Sequence, residues 1–206
     1  MGSEDRAPSA PLPAPKVAVS CYRTAIPSPV LLVVTRPHAG GVVNIAPISW
    51  VSLVGGKPPR LVLCALNRHD TCRNLLAFGE LTVNVPNSSL QREIAACAAE
   101  LPPTTSENDL AHLSLLASCH VAVPIIGECR SNLECVVKGA SDIGASTLFI
   151  CEVLAAYIDQ GISGSDRDVF LQVGGLVYVG GDDCATIGEI LPLDIPKVTG
   201  HAEGGR

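Results

Sequence analysis

Val30-Leu31-Leu32-Val33-Val34-Thr35, the break Pro37-His38-Ala39-Gly40-Gly41, and the second apolar run that opens at Val42 and continues through Asn44-Ile45-Ala46-Pro47-Ile48-Ser49-Trp50 decide the fold class. β-Branched residues at this density suit strands, and a Pro/Gly break between two such runs reads as a β-hairpin. Working outward, Gly55-Gly56-Lys57-Pro58-Pro59 makes a second break. Leu61 to Leu66 follows as a third strand, whose almost continuous apolar character predicts burial on both faces. His69 to Leu76 changes period: it opens with a capping residue, sets Leu75, Leu76 and Phe78 on one side and stops at Gly79, which predicts a short helix. Leu81 to Val85 is again a strand. Ser88-Ser89-Leu90-Gln91 has capping-box spacing ahead of a helix over Ile94 to Ala99, and a third short helix is predicted from Ser106, with Asp109 at N3, to Leu116. From Val121 to Tyr157 and from Val169 to Val179 the chain returns to strands with Gly at the bends. Because regular βα alternation is missing, the expected architecture is mainly β, a closed or partly closed barrel with a few peripheral helices.

A chain of 206 residues with 47% hydrophobic content is long enough to bury one sizeable core. Residues 1–16 and 198–206 are Pro-, Gly- and Ser-rich or polar and read as disordered tails around a single domain at 17–197, with no linker inside it. A formal net charge of -6 argues against a sequence-independent nucleic-acid binder, which needs a basic surface. The first residues carry acids and prolines where a signal peptide would have a basic start and an apolar run, and no apolar stretch reaches the roughly 20 residues of a membrane helix. Those features point to a soluble, cytoplasmic protein away from membranes. Nine cysteines, an odd number without a CxxC pair, read as reduced, buried small hydrophobes rather than a disulfide or zinc framework. His112, Cys119, His120 and Cys129 match no familiar ligand spacing, so no metal is expected.

A Ser-nucleophile elbow, a Walker loop, a GxGxxG after the first strand and a metalloprotease helix are all missing. What remains is the block Asn44 to Trp50, taken with Pro58-Pro59 and Arg68-His69-Asp70-Thr71-Cys72-Arg73-Asn74. It puts short polar groups and exposed backbone on a strand, followed by a helix N-terminus flanked by Arg68 and Arg73. Two readings stand. One is a phosphate site built from free helical N–H groups and guanidinium groups, which Asp70 would oppose unless it turned away or paired with an arginine. The other is an ordinary Asp cap with two solvated arginines, which spacing alone favours.

Pro29-Val30-Leu31-Leu32-Val33-Val34-Thr35, Gly41, Asn44-Ile45-Ala46-Pro47-Ile48-Ser49-Trp50, Pro58-Pro59, Asp70-Thr71-Cys72-Arg73-Asn74 and Leu81-Thr82-Val83-Asn84-Val85-Pro86, in that order, resemble the flavin-reductase-like, or flavoredoxin-like, family. Ile125-Ile126-Gly127-Glu128-Cys129, Leu133-Glu134-Cys135, Leu148 to Val153 and Gly174-Gly175-Leu176-Val177-Tyr178 extend the likeness over roughly residues 22 to 180. The resemblance implies an FMN-binding split β-barrel of Greek-key type, working as a homodimer that holds FMN, or alternatively FAD, at the subunit interface. NADH or NADPH would visit the exposed flavin face. By position, the resemblance sets Asn44, Ala46, Pro47 and Ser49 along the isoalloxazine and ribityl chain, Cys64, Ala65 and Leu66 beside the flavin, and Arg68, Thr71 and Asn74 at the phosphate. Trp50 is assigned mainly to packing, as is the Cys64 thiol. No catalytic residue is singled out, because hydride transfer from nicotinamide C4 to flavin N5 is cofactor chemistry that the protein aligns. Two positions depart from the family pattern: Gln172-Val173 precede Gly174-Gly175 where an Arg or Lys is frequent, and Cys129-Arg130 replaces Cys-Pro. The function expected is an NAD(P)H:flavin reductase that supplies a partner monooxygenase. The alternatives are a flavoenzyme acting directly on an organic secondary metabolite, and a non-enzymatic flavin- or haem-binding electron carrier.

Overall fold

The computed structural model describes residues 25–102 and 104–191. The expected tails at 1–16 and 198–206, both ends of the expected domain at 17–197, and Cys21 lie outside the described residues. The hairpin that opens the sequence reading forms: β1 (Ser28–Thr35) pairs antiparallel with β2 (Asn44–Ile48), Leu31 opposite Ile48 and Thr35 opposite Asn44. β2 continues through Ser49-Trp50 into β3 (Val51–Leu53), which pairs with β4 (Arg60–Leu66). β4 pairs with β9 (Ser146–Ile158), β9 with β8 (Ser131–Asp142), β8 with β5 (Glu80–Val85), and β5 with β1. All these ladders are antiparallel, and following them returns to the first strand. The result is a barrel whose seam between β2 and β3 is crossed by the chain itself, with the Cys64 N–H donating to the Trp50 carbonyl at 2.9 Å. β10 (Leu176–Gly180) and β11 (Asp183–Thr186) extend the sheet from the first half of β1, and β6 (Leu115–Leu116) pairs separately with β7 (Ile125–Ile126). The mainly β split barrel is the architecture expected.

Burial is distributed differently from the sequence reading. The strand covered on both faces is β1, in which Leu32, Val33, Val34 and Thr35 are all 0% exposed. β4 alternates instead: Leu61, Leu63 and Ala65 are buried, while Val62, Cys64 and Leu66 are half-buried on the other face. β1 separates two apolar layers. Val33 belongs to the barrel interior with Leu63, Leu81, Val83, Phe149 and Cys151, whereas Leu32 and Val34 pack outward on Ile45, Leu90, Cys97, Val123 and Ile126. The outward side of β4 has no such layer and faces solvent and a cavity. Most cysteines behave as buried hydrophobes: Cys72, Cys97, Cys129, Cys135 and Cys151 are in the core, while Cys64 is half-buried and Cys119 and Cys184 are exposed.

The helices needed more correction. α1 (Asp70–Ala77) forms where expected, but its cap His69 makes no side-chain bond, and Leu76 is exposed while Leu75 is buried. The helix α2 (Gln91–Cys97) follows a 3-10 turn at Ser88–Leu90 that is capped by Asn87, whose side chain takes the Ser89 N–H at 2.9 Å, so the expected capping box is not made. α3 (Asn108–Ala111) stops five residues short of Leu116. Its end is fixed by Asn108, which accepts from Leu113 N–H at 2.7 Å and donates to Leu113 C=O at 3.1 Å, while His112 turns left-handed at φ 53. Val169 to Val173 is not a strand but the end of α4 (Asp166–Val173), started by a capping box between Ser165 and Asp168 and ended at Gly174, φ 67. Val121 to Pro124 is a loop tied to side chains of β5 and β8. No helix among the described residues is long and apolar enough to cross a membrane.

Candidate functional site

A cavity of about 680 Å³ opens on the seam side of the barrel, within the range of roughly 300–1,000 Å³ usual for small-molecule sites. β2 contributes Ala46, Pro47 and Ile48, the seam contributes Ser49 and Trp50, and β4 contributes Cys64, Ala65 and Leu66. His69 and Thr71 enter from the start of α1, and Gln91, Ile94, Ala95 and Ala98 from α2 and its end. The β10–β11 hairpin closes one side with Tyr178, Gly181, Asp182, Asp183 and Cys184. Small side chains at Ala46, Ala65, Ala95 and Ala98 leave the room; the polar groups are few and come mainly from element ends.

Of the residues expected from the sequence, Ala46, Pro47, Ser49, Cys64, Ala65, Leu66 and Thr71 line this cavity, and Asn44, Arg68 and Asn74 do not. Asn44 and Asn74 are buried behind the wall. Asn44 donates to Thr71 Oγ1 at 3.1 Å and to Thr35 Oγ1 at 3.4 Å, and Asn74 donates to Thr35 Oγ1 at 3.2 Å. Arg68 extends into solvent, 3.9 Å from Glu100, and both side chains are largely exposed. Trp50, assigned mainly to packing, instead stands on the cavity wall at 38% exposure. His69, Tyr178, the α2 residues and the hairpin tip were not among the expected site residues. Trp50 and Tyr178 stand inside quoted motifs and could have been found there; Ala95 and Ala98 carry no chemical signal at all.

Asp70 sits at the first position of α1. Its carboxylate pairs with the Arg73 guanidinium, which also donates to the Arg68 carbonyl at 2.6 Å. The acid is ion-paired with Arg73 beside the helix start. The Asp70, Thr71 and Cys72 amides lie in the first turn of α1, where no intrahelical carbonyl is available to them. Behind β2, Glu107 is buried and accepts the Ile45 N–H at 2.9 Å. Burial pushes its carboxyl above the ordinary carboxylate range, with the Asp70 charge adding to the rise and the Ile45 bond partly offsetting it. The opposite rim is acidic through Asp182 and Asp183, and the described residues lining the cavity include no lysine or arginine.

These groups fit an elongated, partly flat ligand with one anionic end: a wall of small apolar side chains, an aromatic neighbour at Trp50, and unspent N–H and hydroxyl donors at the start of α1. The chain matches the flavin reductase like domain over residues 22–186. It is 31% identical over 187 residues to the Bacillus subtilis protein YwrF, covering 84% of this chain and 90% of that one. Among solved structures, nitrilotriacetate monooxygenase component B from Bacillus cereus is 30% identical, with a TM-score of 0.76 over 82% of this chain and 88% of its own. Flavoredoxin of Desulfovibrio vulgaris, 19% identical, shares the fold at a TM-score of 0.77 over 87% of this chain and 97% of its own. The barrel circuit, the cavity at its seam and a family match spanning most of the described residues agree: the chain belongs to the flavin reductase-like family.

Proposed function

We propose that this protein binds FMN in the seam cavity and acts as an NAD(P)H:flavin oxidoreductase, handing reduced flavin to a separate oxygenase. The observation that carries the reading is the cavity itself, which gathers Ala46 to Trp50, Cys64 to Leu66 and the start of α1 in a chain of this family. Thr71 and the first-turn amides of α1 would hold the phosphate, Ala46, Pro47 and Ser49 would run along the ring and ribityl chain, and Trp50 would border the ring. When bound, FMN would supply the two-electron chemistry, taking hydride from NADH or NADPH. The chain's part is to orient the ring and keep water off one face, which the apolar walls at Ile48, Leu66 and Ile94 serve. Similarity to a monooxygenase component B supports the two-component arrangement. A homodimer is supported by the outward face of β4 and β9, where Val62 lies opposite Ile150 and Cys64 opposite Leu148, an apolar strip that runs directly into the cavity wall.

The test is an absorbance spectrum of the purified protein, FMN and FAD titrations, and steady-state oxidation of NADH and NADPH with each flavin. FMN binding with NAD(P)H oxidation is expected. Bound flavin without NAD(P)H oxidation would replace the reductase reading with the electron-carrier one, and no binding of either flavin would overturn the cavity assignment.

A further inference from the structure

Thr71 is 2% exposed yet reaches the cavity wall, and the bonds behind it determine what its hydroxyl can do. A threonine hydroxyl has one hydrogen to give and two acceptor positions, whereas an amide NH2 only gives. Asn44, itself 9% exposed, spends its two amide hydrogens on two threonines, Thr71 at 3.1 Å and Thr35 at 3.4 Å. Asn74 gives a second hydrogen bond to Thr35, which is 0% exposed and now has both acceptor positions filled. Asn44 cannot take a hydrogen from Thr71 while its NH2 faces that hydroxyl. Among the described residues the Thr71 hydrogen meets no protein acceptor, so the side left to it is the cavity.

We propose that Thr35, Asn44 and Asn74 are positioning residues that fix Thr71 as a hydrogen-bond donor toward an anionic oxygen of the cavity's ligand. The proposal rests on the flavin reading above, in which that oxygen belongs to the phosphate. Thr35 anchors the device: with two amides converging on it, the Asn44 side chain is held with its nitrogens inward, and the donor direction at Thr71 is set before any ligand arrives. A donor aimed at a charged oxygen forms roughly twice as strong a bond as one aimed at a neutral hydroxyl. The arrangement therefore favours a phosphorylated flavin over riboflavin without using an arginine.

Binding of FMN and of riboflavin, followed by flavin fluorescence on the full chain, tests this. Asn44→Asp keeps the shape but replaces the NH2 with an acceptor that draws the Thr71 hydrogen inward; it should weaken FMN about ten- to a hundredfold and riboflavin far less. Asn44→Leu, which removes the donor but supplies no competing acceptor, should weaken FMN less than Asn44→Asp does; because the introduced carboxylate also repels a phosphate directly, the double variant separates the relay from plain repulsion. Thr71→Ser should bind as the parent does, Thr71→Val should lose a factor similar to Asn44→Asp, and the Asn44→Asp/Thr71→Val double variant should be no weaker than Thr71→Val alone. Additive losses, or equal losses for FMN and riboflavin, would overturn the relay while leaving the flavin site in place. Failure of the parent protein to bind either flavin would overturn the flavin reading itself. Should Asn44→Asp not fold, Asn44→Leu, Thr71→Val and their double variant give the decision: a loss selective for FMN and less than additive supports the relay, and additive or unselective losses overturn it.

Discussion

Glu134 is wholly buried on β8, and its two oxygens take the backbone N–H groups of Cys119 at 2.9 Å, His120 at 2.5 Å and Val121 at 3.2 Å. Burial alone would raise its carboxyl. The backbone donors, a bond from Tyr157 and the neighbouring His120 outweigh that and hold it below the usual carboxylate range. Tyr157 responds in the opposite direction, pushed up by burial first and by its bond to Glu134 second. A group with a depressed folded value stabilises fully above its unfolded value of about 4.3, and loses that contribution as pH falls through the folded value. Glu134→Gln should therefore cost about 1–3 kcal/mol at neutral pH, because an amide cannot serve three converging donors. The gap in Tm between variant and parent should narrow in melts taken below about pH 4, and a constant gap would show that the charge does not matter. The cysteines divide just as sharply. Burial pushes the thiols of Cys97, Cys129, Cys135 and Cys151 up to about 12. Mass-spectrometric labelling of the native protein should find Cys119 and Cys184 reactive and those four silent, and a cavity ligand should protect Cys184 but not Cys119.

At the scale of elements, the β10–β11 hairpin closes one side of the cavity with an acidic tip. Gly180 and Gly181 turn the chain at φ 112 and φ 59, and the Tyr178 hydroxyl donates to the Gly181 carbonyl at 3.0 Å, setting Asp182 and Asp183 on the cavity rim. If the protein is the proposed reductase, two carboxylates there oppose a donor carrying an extra phosphate and should disfavour NADPH relative to NADH. Asp182→Asn/Asp183→Asn should raise kcat/KM for NADPH about three- to tenfold with little change for NADH, and the difference should shrink with added salt. An unchanged ratio would remove the hairpin from the account. The same scale shows what was readable in the sequence. β1, β2 and α1 were legible because their periodicity and the flanking Pro and Gly agree. α4 was misread because Val169, Phe170, Leu171 and Val173 look like strand residues, although Ser165 and Asp168 at capping spacing marked a helix start. The site was half legible: the β2 and β4 walls belong to motifs, but the alanines of α2 and the tip of a hairpin over a hundred residues away reach the cavity only through the barrel's closure. Asn44 and Asn74 were legible as residues, but sequence spacing does not say which side of a wall an amide occupies, and the structure sets both behind the cavity lining.

For the whole molecule, the outward face of β4 and β9, apolar at Val62, Ile150 and Leu154, is the subunit contact in the proposed homodimer. Ile150 is 41% and Leu154 40% exposed on this face. Ile150→Glu should halve the mass seen by light scattering and weaken flavin binding with it, because the strip is continuous with the cavity wall; an unchanged mass would exclude this face as the subunit contact. Ser49 and Trp50 close the barrel and also line the cavity, so the energy of opening the barrel and the energy of emptying the cavity are shared by the same residues. A ligand held there acts as a rivet on the fold: at a hundred times its Kd it should add about 2.7 kcal/mol of stability, and amide hydrogen exchange should slow most at the two ends of the seam, Cys64 included.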